Sequence, residues 1–168
     1  KRTGHVSTTD LSDAALVEAV RRSEELARLA PENPEFMPPL AANQDYETID
    51  GFDEKTANLA PQECADKIEK CLALSRSSEI DLAGFLSAGS TFSSIANSNG
   101  LFAYHRATSA SYSTTARTHE NNGSHKVQFA SQRISDLNLE EFSQRAIDRA
   151  FLARNPVELP PGRYPTIL

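Results

Sequence analysis

The sequence predicts an α+β fold: an antiparallel four- to five-stranded meander with helices on one face, preceded by a helix and a Pro-rich irregular segment. Three observations carry this expectation. Apolar residues recur at three-and-four spacing over residues 12–29, 61–77 and 139–151. From Ile80 onward the period changes to two, and Asn-rich, Gly-containing turns at residues 97–100 and 121–123 separate the extended runs.

Taken in order, Asp10 and Ser12 offer N-caps for a first helix ending near Leu29, with Leu16, Val20, Ser23, Leu26, Ala27 and Ala30 along one face. That stripe is thin, so the helix is expected to need a packing partner. Pro31, Pro34, Pro38 and Pro39 then remove backbone donors and hold their neighbours out of helix, which makes residues 31–43 an irregular and mobile linker. Residues 45–52 carry no clear period. Pro61 suits the first turn of a second helix over residues 61–77, with Cys64, Ile68, Cys71, Leu72 and Ser75 on its buried side.

The alternation at residues 80–86 reads as one strand and residues 90–97 as its antiparallel neighbour. A long strand over residues 101–118 follows, with Phe102, Tyr104, Thr108, Ala110 and Tyr112 on one face and Leu101, Ala103, His105, Ala107 and several hydroxyls on the other. Residues 126–131 return as the next strand. Asn138 and Glu141 then form a capping-box pair for a helix that buries Leu139, Phe142, Ala146, Ala150 and Phe151, and Asn155-Pro156 ends it. A further strand is expected to start at Arg163 and run to Leu168.

Composition removes several classes of function. The 168 residues, 39% hydrophobic, suffice for one ordinary core but contain no run approaching the roughly 18–20 apolar residues of a membrane span. A formal charge of −6 argues against direct nucleic-acid binding, which draws its affinity from clustered Lys and Arg. The longest basic run, Arg21-Arg22, lies among Glu18, Glu24 and Glu25 at the spacing of a solvated helix face. Cys64 and Cys71 stand two helical turns apart, about 10 Å along the axis, too far for a disulfide. They are expected to be free thiols in a reducing, cytoplasmic setting. Opening on Lys1 and stopping within an apolar run, the chain reads as a piece of a longer protein.

Candidate chemistry is sparse. His119-Glu120-Asn121-Asn122-Gly123-Ser124-His125 has the outline of a zinc motif, yet six helical residues would place the two imidazoles on separate faces, and Asn-Asn-Gly is turn chemistry. It is read as a hairpin tip. Gly84-Phe85-Leu86-Ser87-Ala88-Gly89 misses the serine nucleophile pattern by one residue, and Asn122-Gly123-Ser124 is a glycosylation sequon by pattern alone. No catalytic residue and no metal ligand are assigned. Tyr104, His105 and Arg106 remain as candidates to line a substrate groove, with His105 and Arg106 pointing to opposite faces of their strand so that both cannot serve one ligand.

Residues 97–108, Asn97-Ser98-Asn99-Gly100-Leu101 through Arg106-Ala107-Thr108, resemble the N-S-x-G-L … R-x-T hairpin of the central region in TldD/PmbA proteins. Ala146, Ala150, Pro156, Leu159 and Pro161-Gly162-Arg163-Tyr164 are similar to the A-x-x-x-A … P-x-x-L-x-P-G-x-Y passage that follows it there, and residues 61–77 fit the preceding helix less specifically. The likeness covers residues 60–168 well and residues 1–59 weakly. It implies a division into the end of a first domain (1–59), a central α+β domain (60–160) and the start of a following one (161–168).

That family, also called modulators of DNA gyrase, implies a zinc-dependent peptidase as parent. Its zinc is held by an H-E-x-x-x-H motif and a later cysteine downstream of the region present here. One subunit type keeps that motif and its partner type lacks it. The resemblance thus implies a non-catalytic fragment with no cofactor of its own, zinc in the full-length parent, a peptide substrate, and a homo- or hetero-oligomer with a family partner subunit. It would contribute substrate-chamber or subunit-docking surface. The alternative reading is a protein-interaction module, or an inactive partner subunit, without a catalytic role.

Overall fold

In the computed structural model, which describes residues 1–165, four helices, a short 3-10 turn and three strands follow one another. They are α1 (Asp13–Leu29), α2 (Glu54–Ala57), α3 (Pro61–Ser77), β1 (Ile80–Ala96), β2 (Phe102–Thr118), β3 (Ser124–Ser131), the turn Ile134–Asp136 and α4 (Leu139–Leu152). The chain is thus α+β. Two compact units emerge, residues 1–44 with 96–101, and residues 45–95 with those from 102 onward. No helix among the described residues is long and apolar enough to cross a membrane.

In the first unit, the Ser12 hydroxyl caps α1 by accepting from the Ala15 amide. None of the residues of α1 is buried, and Leu16, Val17, Val20 and Leu26 stay exposed. The face that is half-covered carries Ala15, Ala19, Ser23 and Ala27, a line of small residues at four-residue spacing. The extended N-terminal segment explains this choice. Gly4 lies so close to the helix backbone that a methyl group there would overlap the Ser23 carbonyl and approach the Ala27 nitrogen to 2.7 Å. Arg2 donates to the Arg28 carbonyl at 2.7 Å. The Pro-rich segment is tied down at one end, where the Pro39 and Leu40 carbonyls accept from the Asn99 and Asn97 side-chain amides at 3.0 and 2.9 Å.

The second unit holds the core. β1, β2 and β3 form one sheet in that order, and β2 pairs antiparallel with β3 from Ala110 opposite Ser131 to Arg117 opposite Ser124. Helices α3 and α4 pack together and on this sheet. One cluster joins Cys71, Ala110, Tyr112, Ile134, Leu137 and Leu139, and a second joins Ile80, Ala116, Val127, Ala146, Ile147 and Ala150. The even-numbered residues of β2 from Ala110 to Ala116 face the helices, as a period of two requires. Phe129 and Phe142 bridge the two clusters with rings stacked 3.6 Å apart. A buried hydroxyl pair sits among them: Ser143 donates to the Leu139 carbonyl at 2.8 Å, so Tyr112 is the donor in its 2.7 Å bond to Ser143.

The expectation of four to five strands is corrected. Among the described residues the sheet has three, because the two runs at residues 80–86 and 90–97 are a single strand of 17 residues. Extended backbone runs without a break from Ile80 to Ala96, so the chain makes no reversal at Ser87-Ala88-Gly89. Gly84 is required by packing and marks no turn: a methyl there would overlap the Ser113 carbonyl and lie 2.7 Å from the Thr114 Cα. Residues 163–165 of the expected final strand are not extended into a sheet, and residues 166–168 lie outside the described residues.

Candidate functional site

β2 is twice as long as the stretch that β3 covers, since β3 begins to pair only at Ala110. Residues 45–53 occupy the ground beside the uncovered half. The Gly51 carbonyl accepts from the Thr108 amide at 2.9 Å, the Thr108 hydroxyl donates to the Gln132 carbonyl at 2.7 Å, and it accepts from the Asp53 amide at 3.0 Å. Thr108, buried at the point where strap, strand and the end of β3 meet, thus satisfies three backbone groups. Asp50 pairs with Arg133 at 2.8 Å, further anchoring the strap.

The strap ends in α2, whose cap is unusually well built for four residues. Asp53 accepts from the Thr56 amide at 2.8 Å and from its hydroxyl at 2.7 Å, while that hydroxyl accepts from the Ile134 amide at 2.8 Å. The Thr56 hydroxyl, foremost, and then its amide hold the Asp53 carboxyl below the usual carboxylate range.

Between this strap and the open ends of β1 and β2 lies a cleft of about 380 Å³, lined by Tyr46, Glu47, Ile49, Ile95, Tyr104 and His105, among others. Its walls are mainly apolar, and among the described residues Glu47 is the one acidic residue in its lining. Glu47 has no ion-pair or hydrogen-bond partner among the described residues. Beside the cleft runs a ladder of aromatic rings: Phe52 lies 6.0 Å from Phe92, and Phe92 stacks on Tyr104 at 6.4 Å. The Arg106 guanidinium lies 4.1 Å above the Phe52 ring, with the Glu54 carboxylate at 3.8 Å.

Of the three residues expected to line a groove, Tyr104 and His105 both border the cleft, but the Tyr104 ring stacks on Phe92, and Arg106 lies outside the cleft over Phe52. Tyr46, Glu47 and Ile49 escaped sequence reasoning because residues 45–52 have no period; only the mix of aromatic, acidic and Gly residues around Gly51 hinted at an ordered strap. His119 and His125 do not converge. His119 turns to Asp81 at 3.4 Å, and His125 stands in β3 opposite Ala116. Among the described residues no three His, Cys, Asp or Glu side chains are grouped to hold a metal ion. Cys71 is buried and Cys64 half-buried, and both are free.

The model of the PmbA/TldA metallopeptidase central domain matches residues 52–154, well over half of the sequence. The chain belongs to the TldD/PmbA family. The matched span begins at Phe52 in the strap, takes in the whole sheet with α3, and closes just beyond α4. Two solved structures share the fold. A modulator of a DNA gyrase from Thermotoga maritima MSB8 superposes with a TM-score of 0.81 at 16% identity, over 96% of this chain and 37% of its own. TldE from Thermococcus kodakarensis gives 0.73 at 17% identity, over 90% of this chain and 35% of its own. At these identities the likeness is one of fold. The chain spans just over a third of each neighbour, and no curated protein matches it.

Proposed function

We propose that this TldD/PmbA central domain is a non-catalytic part of a zinc-dependent peptidase, in which it handles the peptide and leaves bond cleavage to another region. The observation that carries the reading is a preformed cleft on the central domain of a metallopeptidase family, built from residues among which no metal site is grouped. Within it, Tyr46 offers a large amphipathic surface of the kind that dominates peptide contacts, and His105 offers ring nitrogens for hydrogen bonds to a main chain. The volume lies within the range of about 300–1,000 Å³ usual for ligand sites. A role in subunit docking is favoured by α1, whose Leu16, Val17 and Val20 are exposed, and sedimentation of the full-length protein with and without α1 tests it.

The test of the peptidase reading compares this chain with its full-length parent. After exhaustive dialysis the chain alone is expected to retain no stoichiometric zinc and to cleave no member of a fluorogenic peptide library, while the parent or its complex does both. One zinc per chain that is lost on His119→Ala or His125→Ala, together with peptide hydrolysis, would place the active site at the β2–β3 turn and overturn the proposal.

A further inference from the structure

We infer that the cleft between the strap and the open ends of β1 and β2 takes a basic side chain, Lys or Arg, of an extended peptide. The inference rests on the peptide-handling reading and deepens it to a specificity. Its first ground is the mismatch of lining and charge. The walls formed by Tyr46, Ile49, Ile95 and Ala103 are apolar, yet Glu47 lines the same cleft with no ion-pair partner among the described residues. A wholly apolar occupant would leave that charge unanswered and hinder its hydration; an acidic one would be repelled. Lys and Arg have the required form, an aliphatic stem that lies along apolar surface and a cationic head that stays at the wet rim.

The second ground is that the same unit already holds a cation in this manner. Arg106 rests over the Phe52 ring at 4.1 Å with Glu54 at 3.8 Å, so one aromatic face and one carboxylate suffice to seat a guanidinium here. The cleft repeats those two ingredients, with Tyr46 for the aromatic face and Glu47 for the carboxylate, and among the described residues no Lys or Arg pairs with either. Asp50 and Glu54 are taken by Arg133 and Arg106, Asp53 caps α2, and Asp45 does not line the cleft, which leaves Glu47 as the group that can discriminate.

The experiment measures fluorescence anisotropy of three labelled Ala-based peptides, with Arg, Leu or Glu at the central position, against this chain at low salt. The Arg peptide is expected to bind about fivefold more tightly than the Leu peptide, the size of a partly exposed charge contact, and the Glu peptide most weakly. Glu47→Gln should abolish the preference of Arg over Leu without weakening the Leu peptide, Glu47→Lys should invert the order of Arg and Glu, and high salt should level them. Ile49→Ser should weaken the Arg and Leu peptides alike. Equal binding of all three by the wild-type chain, or an Arg preference that survives Glu47→Gln, overturns the inference while leaving peptide handling intact. Failure of every peptide to bind at millimolar concentration overturns both.

Discussion

Thr56 shows how much a single hydroxyl can organise. Buried to 1% exposure, it gives its proton to Asp53 and receives that of the Ile134 amide, so one side chain joins the strap to the turn that precedes α4. Thr56→Val keeps the shape and strands a buried amide, which should destabilise the fold by about 1–3 kcal/mol in urea unfolding. The Asp53 carboxyl beside it adds a pH dependence whose sign follows from its lowered pKa. A depressed folded-state pKa contributes stability that is present above the ordinary carboxylate pKa and is lost as pH falls through the lower, folded value. Thermal unfolding followed down from pH 5 should therefore show a smaller loss in Asp53→Asn than in the wild-type chain. Neither role was legible in the sequence, because Asp-x-x-Thr is a common string and its partner Ile134 lies 78 positions further on.

At the scale of elements, ends were easier to read than faces. Ser12, Pro61 and Asn138 announce the starts of α1, α3 and α4 through local chemistry, and the structure places all three where the sequence predicts. The covered side of α1 was read only in part: Ser23 and Ala27 belong to it, but Leu16 and Val20 stay exposed, and Ala15 and Ala19 complete the face selected by the close approach of Gly4. β1 was divided in two because Ser-Ala-Gly resembles a turn, although there it is a run of small residues in a continuous strand. The junction between α3 and β1 holds a residue ill suited to its backbone. Glu79 has φ +50°, a left-handed conformation that costs a side chain about 1–2 kcal/mol and glycine little. Glu79→Gly should raise stability by about 1 kcal/mol, the larger unfolded-state entropy of glycine offsetting part of the relief. A higher urea midpoint with unchanged slope would bear this out, and a lower midpoint would count against the strain.

For the whole molecule, family and fold class were within reach of the sequence, and the cleft only in part. Tyr104 and His105 could be nominated from the alternation of β2, whereas the opposing wall comes from a strap whose position is set by Thr108 and Arg133, contacts more than fifty residues away in sequence. Sheet topology has a colloidal consequence. Among the described residues β1 is an edge strand, and along 17 residues it carries one charge, Asp81, and no proline. Natural edge strands usually interpose Lys, Pro or a bulge to deter pairing with another chain, and β1 has none of the first two. A Lys at its middle, Ser87→Lys, should slow the growth of light scattering in concentrated solutions of this chain and delay thioflavin binding, leaving the circular dichroism spectrum of the fresh protein unchanged. The exposed main chain of β1 thus makes the shelf life of concentrated solutions of this chain a property of one strand, open to change at a single residue without touching the core.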